Sequence, residues 1–314
     1  MTRERTLTGL LAVAAVATLV HCSEQKKSTA GKTCTTGQAL QSVGLRGAGM
    51  QPKQLALTFD DGPGPRTKAL SAFLKNEGIE AAFFVNGKMV DQNGGEILQQ
   101  LVADGHIIGN HTETHRSLTG VSEGVARPPD ADVLAELAAT DAKIAPYVQA
   151  ERLLFRPPYG DFDDTTLAAL ATSPMNKYVG PVLWDIGDRM DEANGRAADW
   201  DCWDDGSDGK RTPMKECGDL YLNEIRRANW GVVLLHDPWY NELDPEQAGT
   251  VEMVMYMVPI LKQEGFTFVR VDKIPDVANL LPPLPPENTE PPPSNVTTDQ
   301  SPTTPPPAGD EPCP

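Results

Sequence analysis

The sequence predicts an α/β barrel of about seven parallel strands, with strands and helices alternating along most of the chain. Apolar runs of strand length alternate with segments of helical periodicity between residues 51 and 279. The strand runs are rich in Val, Leu, Ile and Phe without polar alternation, which is typical of strands covered on both faces. Polar motifs follow several strands at their carboxyl ends. In a barrel these ends meet on one face, whereas in an open sheet they would be spread along a line, so the motifs favour a barrel.

The individual elements follow from these patterns in chain order. Strands are predicted over residues 55–59, 81–85, 107–111, 153–156, 178–186, 231–236 and 266–271. Helices are predicted between them over residues 67–76, 96–103, 132–147, 165–171, 220–228 and 251–264. Gly78, Gly105 and Gly265 follow three of these helices, where C-terminal caps favour glycine.

The first 22 residues have the pattern of a secretory leader. A positively charged start precedes an apolar stretch over residues 7–20, which is too short to span a bilayer. Residues 19–22 resemble a bacterial lipobox, although His21 stands where that pattern has a small residue. We expect export, with Cys22 lipidated in a cell-envelope lipoprotein that faces the periplasm or the cell surface. Ordinary cleavage with secretion, or a retained anchor, are the alternatives.

The rest of the chain divides by composition into a tether, a folded domain and a tail. Residues 23–50 are polar and aperiodic and predict a flexible tether. Residues 51–279 carry the strand and helix pattern and predict one domain. Residues 280–314 contain 13 of the 28 prolines and are expected to be disordered, because they cannot bury enough apolar surface.

Charge and cysteine content limit the partners and the redox state. A net charge of −17 opposes binding to phosphate backbones, so nucleic acid is excluded as a partner, and we expect a monomer whose membrane contact is confined to Cys22. Export allows the other four cysteines to oxidise. The short separation of Cys202 and Cys217 favours that pair, with Cys34 and Cys313 as the second, but four cysteines allow three pairings.

Two polar motifs predict a divalent metal site with a base beside it. Asp60 and Asp61 follow the first predicted strand, so one carboxylate can bind a metal while the other takes a proton from water. His111 and His115 are spaced to share one face of a helical turn, within reach of one ion. Asp61 completes a His₂Asp set, for which Zn²⁺ is the first choice and Co²⁺ or Ni²⁺ the alternatives.

Two further motifs follow later strands. Arg156 begins an Arg-Pro-Pro-Tyr-Gly sequence, in which Pro157 and its neighbour restrict the backbone and hold Arg156 and Tyr159. An arginine there can keep a carboxylate ionised. His236 ends a buried apolar strand and is a candidate general acid toward a leaving group.

In this order the motifs resemble those of the polysaccharide deacetylases of the NodB-homology type, carbohydrate esterase family 4. The resemblance spans about residues 52–275 and implies a distorted (β/α)7 TIM-like barrel that removes acetyl groups from sugars. It implies that Asp60 is the base, Arg156 its partner and His236 the acid. It implies that Asp61, His111 and His115 are the metal ligands. The Tyr159 backbone N–H would donate to the oxyanion, and Leu234 would line the pocket for the acetyl methyl group.

The family has one further motif, an aspartate directly followed by tryptophan after the fifth strand, which lies before the His236 motif. This Asp/Trp motif is the one at which the sequence departs from the family pattern. Here Asp185 follows Trp184, whereas Asp199 precedes Trp200 further along the chain, within an insertion that reaches residue 217. Either aspartate could orient His236, and we favour Asp199. Trp200, with Trp203, is a candidate surface for stacking on sugar rings.

The predicted function is removal of acetyl groups from an acetylated polysaccharide, first the N-acetyl groups of GlcNAc or MurNAc in peptidoglycan or chitin. An O-acetyl xylan esterase on the same fold is an alternative, as is a catalytically inactive sugar-binding module. A phosphoesterase fits less well, because the chain is strongly acidic and offers a single three-ligand site.

Overall fold

The computed structural model of the protein describes residues 40–148, 152–203, 211–237 and 249–283. The chain divides into two units, residues 1–36 and 37–314, and every described residue belongs to the second. Among the described residues, no helix is both long and apolar enough to cross a bilayer. The predicted leader, the first part of the tether and most of the tail lie outside the described residues, so those predictions stay untested.

The strands are all parallel and form two sheets. The larger sheet has the order β4 (Ile107–Asn110), β3 (Ala82–Val85), β2 (Gln54–Asp60) and β6 (Gly231–His236), and β7 (Thr267–Phe268) also pairs with β2. The smaller sheet pairs β1 (Leu40–Leu45) with β5 (Gly180–Val182). Single parallel bridges continue the pairing from Asn110 to Phe155, from Leu154 to Val179 and from Ile186 to Val233.

Nine helices connect these strands within the described residues, and most of them lie where helical periodicity predicts them. Their bounds are α1 Thr67–Asn76, α2 Gly87–Asn93, α3 Gly95–Ala103, α4 Asp130–Ile144, α5 Asp164–Ala171, α6 Asp199–Trp203, α7 Met214–Ala228, α8 Thr250–Gln263 and α9 Pro275–Ala278. Short 3₁₀ turns cover Pro158–Gly160, Pro174–Lys177, Glu192–Asn194 and Val271–Lys273. The short helices α2, α6 and α9 were not predicted, because each is too brief to show a period.

The prediction of an α/β fold with parallel strands is confirmed, whereas closure into a (β/α)7 barrel is not. Pairing among the described residues gives an open five-stranded sheet and a separate two-stranded sheet. Two predicted strands shrink: residues 153–156 contribute only isolated bridges, and residues 178–186 contribute Gly180–Val182 with bridges at either side. Residues 40–45, predicted as tether, form β1, because they pair with β5.

Both faces of the larger sheet are buried, as its apolar strands predict. Along β2, Leu55, Leu57 and Phe59 belong to the cluster that the helices cover, whereas Ala56 faces an inner cluster with Phe84 of β3. The register aligns Asp60 with Phe84 and with His236. The ends of β2 and β6 therefore bring their polar residues to one level of the sheet.

Candidate active site

A cavity of about 540 Å³ lies at the carboxyl ends of β2, β4 and β6. The described residues that line it are Asp60, Asp61, His111, His115, Tyr159, Trp184, Asp188, Trp200, Leu234 and His236. Eight of these ten were predicted from the sequence as site residues, and Trp184 was quoted only as part of the Asp/Trp motif. The cavity therefore unites motifs that lie far apart in the chain.

Three side chains in this cavity could hold one metal ion. Oδ1 of Asp61 lies 3.5 Å from Nε2 of His111 and 3.3 Å from Nε2 of His115. The ligand atoms of the three residues all lie within 4.8 Å of one another. Nδ1 of His111 lies 2.8 Å from the carbonyl oxygen of Arg156, so a proton on Nδ1 leaves Nε2 with its lone pair toward the cluster. Burial lowers the pKa of His111 to about 3, so the ring is neutral, as a metal ligand must be.

The histidine pair lies on a loop, and the prediction of a helical turn was wrong. β4 ends at Asn110, and both Thr112 and His115 have a positive φ, near 67° and 61°. The side-chain oxygen of Asn110 accepts the N–H of Thr112, and the carbonyl of Thr112 accepts the N–H of Gly87 on α2. These bonds hold a tight loop, which brings the two rings to a centroid distance of 5.0 Å.

Asp60 is paired with Arg156 next to the three candidate metal ligands. Nη1 of Arg156 donates to Oδ1 of Asp60 at 2.6 Å and to Oγ1 of Thr58 at 3.0 Å, while Nε donates to the carbonyl of Val182. The other carboxylate oxygen, Oδ2, lies 3.6 Å from Nε2 of His111. Burial raises the pKa of Asp60, and the nearby guanidinium opposes that rise. One carboxylate oxygen is thus anchored while the other faces the cluster.

On the opposite side, His236 forms a dyad with Asp199. Nδ1 of His236 lies 2.7 Å from Oδ1 of Asp199, and Oδ2 accepts the backbone N–H of His236 at 2.7 Å. Thr250 and the backbone N–H of Trp200 also donate to this carboxylate. Burial alone would lower the pKa of His236, but the charge and hydrogen bond of Asp199 raise it to about 9.

Asp185 lies elsewhere, and the alternative in which Asp185 orients His236 was wrong. Its Oδ2 accepts the backbone N–H groups of Gly47 and Val232, each at 2.9 Å. Val232 lies near the start of β6, whereas His236 ends that strand. Asp185 therefore holds the backbone at the other end of the sheet. Both aspartates adjoin a tryptophan in the sequence, and that local pattern does not distinguish them.

The remaining predicted residues lie around the three candidate metal ligands. Tyr159 has a φ of 59° in the turn that begins after the buried Pro157, and its ring packs edge-on against His115 with centroids 4.6 Å apart. Leu234 is buried in β6 and lines the cavity. Trp200 is 38% exposed at the rim, as a sugar-stacking residue requires.

Trp203 does not belong to this surface. It is 1% exposed, and its Nε1 donates to Oγ1 of Thr250 at 3.1 Å. Its assignment as an exposed stacking residue was wrong, because helix α6 turns it toward the core. Close by, Cys202 and Cys217 form the predicted disulfide and connect α6 to α7. The predicted pair of Cys34 and Cys313 lies outside the described residues.

Sequence reasoning missed Asp188 as a site residue and Trp184 as a lining side chain. Nε1 of Trp184 donates to Oδ1 of Asp188 at 3.0 Å, so the indole holds the carboxylate at the cavity wall. The Trp184 ring also lies 5.5 Å from the Arg156 guanidinium. Asp188 lies two positions after Ile186, the residue that bridges to β6, and it belongs to no sequence motif.

Comparison with known proteins gives consistent matches. A family model described as polysaccharide deacetylase matches residues 47–177. The peptidoglycan-N-acetylglucosamine deacetylase of Bacillus cereus is 30% identical over 225 residues, which are 71% of this chain and 88% of that protein. Chitin deacetylase 1 of Cryptococcus neoformans is 35% identical over 128 residues, which are 41% of this chain but only 25% of that protein.

A solved structure shares the fold. A substituted form of the peptidoglycan deacetylase PdaC from Bacillus subtilis is 25% identical and superposes with a TM-score of 0.51, over 73% of this chain and 93% of that chain.

Proposed function

The chain belongs to the polysaccharide deacetylase family, carbohydrate esterase family 4, and we propose from its site that it is a metal-dependent hydrolase of acetyl groups on a polysaccharide. The observation that carries the proposal is the cluster of Asp61, His111 and His115 between two proton-transfer groups, Asp60 and the His236–Asp199 dyad. The substrates we propose first are N-acetylated GlcNAc or MurNAc units of peptidoglycan or chitin.

The donor set fits a divalent metal ion. Two imidazole nitrogens and one carboxylate oxygen converge, and His111 is buried, neutral and oriented by its bond to the Arg156 carbonyl. Zn²⁺ is our first choice, and Co²⁺ or Ni²⁺ suits the same nitrogen and oxygen ligands. When bound, such an ion supplies Lewis acidity toward a carbonyl oxygen and lowers the pKa of water.

Asp60 is the proposed general base. Its Oδ1 is held by Arg156, while its Oδ2 faces the cluster and is free to take a proton from an attacking water. Burial raises the pKa of Asp60, and the positive charge of Arg156 opposes that rise and favours the ionised carboxylate that a base requires. This arrangement also separates Asp60 from the ligand role, which falls to Asp61.

His236 is the proposed general acid. The carboxylate of Asp199 stabilises its protonated form and fixes the ring, so that Nε2 can deliver a proton to the departing amine or hydroxyl group. The backbone N–H of Tyr159 is the proposed donor to the oxyanion, and Leu234 the proposed contact of the acetyl methyl group.

Two broader proposals accompany this function. We propose that the isolated bridges at Phe155, Val179 and Ile186 link the two sheets into a distorted barrel, with the cavity at the carboxyl ends of its strands. We also propose that the protein is exported and held at the cell envelope through Cys22, where peptidoglycan is within its reach.

The deciding experiment is mass spectrometry of the purified protein with peptidoglycan fragments, N-acetylated chito-oligomers and O-acetylated xylan. Each removed acetyl group lowers the mass by about 42 units, because hydrogen replaces the acetyl group in an amide and in an ester alike. Loss from the first two substrates supports N-deacetylation. Loss from xylan alone indicates the O-acetyl esterase, and loss from none, with binding retained, indicates an inactive sugar-binding module.

A further inference from the structure

Asp188 gives the cavity a carboxylate that the proposed mechanism does not use. It is exposed, it lines the cavity with Trp184 and Trp200, and its Oδ1 accepts the Trp184 indole N–H at 3.0 Å. The bond fixes the side chain at the wall without neutralising it, because an indole is an uncharged donor. The second carboxylate oxygen stays available for a ligand.

The other carboxylates of this site already have side-chain partners among its arginine and histidine residues. Asp60 is paired with Arg156, Asp61 lies against His111 and His115, and Asp199 is paired with His236. Among the described residues that line the cavity, Asp188 is the carboxylate that lies outside these groups. The negative charge of Asp188 can therefore pair with a positively charged group of a ligand bound at this side of the cavity.

Aromatic side chains complete the surroundings of this carboxylate. Trp184 lies beside it, Trp200 is 38% exposed and Tyr159 is 51% exposed along the same cavity. A carboxylate beside aromatic faces suits a cation carried on a sugar ring, since the ring can stack while the charge is paired. The net charge of −17 also attracts a cationic polymer at long range.

We propose that Asp188 binds the ammonium group of an already deacetylated amino sugar, so that the cleft prefers a partially deacetylated polysaccharide to a fully acetylated one. The inference rests on the proposed function, because hydrolysis of an N-acetyl group yields acetate and a free amine, which takes up a proton. One deacetylation event would then favour another on the same chain.

The test compares two chito-oligomers of equal length, one fully acetylated and one with a glucosamine unit beside the acetylated units. The ratio of their kcat/KM values for acetate release is measured for the wild type and for Asp188→Asn. Asparagine keeps an oxygen that can accept the Trp184 indole N–H, so only the charge is removed. Glu96→Gln, at an exposed position of helix α3, is the matched control for a change of overall charge.

The wild type should favour the amine-containing oligomer about two- to fivefold, as expected for one exposed ion pair. Asp188→Asn should abolish that preference, Glu96→Gln should retain it, and added salt should weaken it. A ratio of one in the wild type, or a ratio that Asp188→Asn leaves unchanged, would overturn the proposal. Equal weakening for both oligomers would also overturn it and would indicate a bond to a hydroxyl group common to both.

A binding measurement separates this inference from the proposed function. Calorimetric titration with a fully deacetylated oligomer needs no catalysis. If no oligomer releases acetate, the proposed function fails, yet weaker binding of the deacetylated oligomer by Asp188→Asn still supports the ammonium site. If acetate is released but wild type and Asp188→Asn bind that oligomer equally, only the inference about Asp188 fails.

Discussion

The two carboxylate oxygens of Asp199 bind the same histidine from two directions, one at the ring Nδ1 and one at the backbone N–H of His236, each at 2.7 Å. Asp199 is fully buried, and Thr250 donates a further hydrogen bond to it. Such a carboxylate fixes both the position of the ring and its protonation, because a charge-assisted hydrogen bond at Nδ1 favours the imidazolium form.

This dyad predicts the alkaline limit of activity. His236 has a pKa raised to about 9, so the proton it donates is present at neutral pH and is lost as the pH rises through that value. We expect kcat/KM to fall on the alkaline side near pH 9. Asp199→Asn should move that fall to lower pH and reduce the maximum rate. Asp185→Asn, at the far end of β6, is the control and should leave the alkaline limit in place.

The same pairing predicts a stability effect with a definite sign. Since the folded pKa of His236 lies above the ordinary value of 6.5, the pair stabilises the fold fully below that value and loses its contribution as the pH rises toward 9. Denaturant unfolding of wild type and Asp199→Asn across this range measures the difference. A stability difference that grows with rising pH would contradict the assignment.

Asp60→Asn should leave the metal content nearly normal while it lowers kcat by about 10²- to 10⁴-fold, the usual cost of losing a general base. The reason is that Asp61, and not Asp60, lies closest to both imidazole nitrogens. Metal analysis of the purified variant and steady-state acetate release are the two measurements. If the variant loses the metal instead, the roles of the two aspartates are reversed.

Chelation should abolish acetate release, and added Zn²⁺ or Co²⁺ should restore it, because Asp61, His111 and His115 together offer three ligand atoms to one ion. The His111→Ala variant is the matched control, since metal should not restore its activity to the wild-type level. Full activity of enzyme shown to be free of metal would contradict the metal-dependent mechanism.

The sequence allowed prediction of the elements whose side chains are buried on both faces. β2, β3 and β6 were predicted from largely apolar runs, and the motifs at the ends of β2 and β6 line one cavity. β1 was missed because its run, Leu40–Leu45, contains Gln, Ser and Gly and is defined only by pairing with β5, a contact distant in sequence.

The errors at the site also arise from contacts between residues distant in sequence, which a local pattern does not show. Two histidines four residues apart suit a helix, but positive φ values at Thr112 and His115 depend on hydrogen bonds from Asn110 and α2 that spacing cannot reveal. Asp188 was missed because its role depends on its position beside Trp184 on the cavity wall, which no local pattern encodes.

The loop of the two histidines should depend on the ion pair behind it. Oε1 of Glu113 lies 2.5 Å from Nζ of Lys143 on α4, which also pairs with Asp91. We expect Glu113→Gln to weaken zinc binding by up to about tenfold, less than the loss of a direct partner of a ligand. Asp91→Asn is the control, because it contacts the same lysine but lies on α2. Competition titration with a zinc chelator measures both, and equal affinities for both variants would contradict a positioning role.

His236→Ala should impair the hydrolysis of N-acetyl groups more than that of O-acetyl groups. An amine must gain a proton before the C–N bond breaks, whereas an alkoxide is a better leaving group and needs less assistance from an acid. The wild type and the variant are compared on an N-acetylated chito-oligomer and on an O-acetylated sugar. Removal of the ring also leaves Asp199 buried without its partner, so the unfolding midpoint must be measured to separate lost catalysis from lost folding. His236→Gln, which retains a polar side chain of similar length, should show the same substrate difference with a smaller loss of stability. Equal and small losses on both substrates, in a folded variant, would mean that the histidine contributes to packing and transfers no proton.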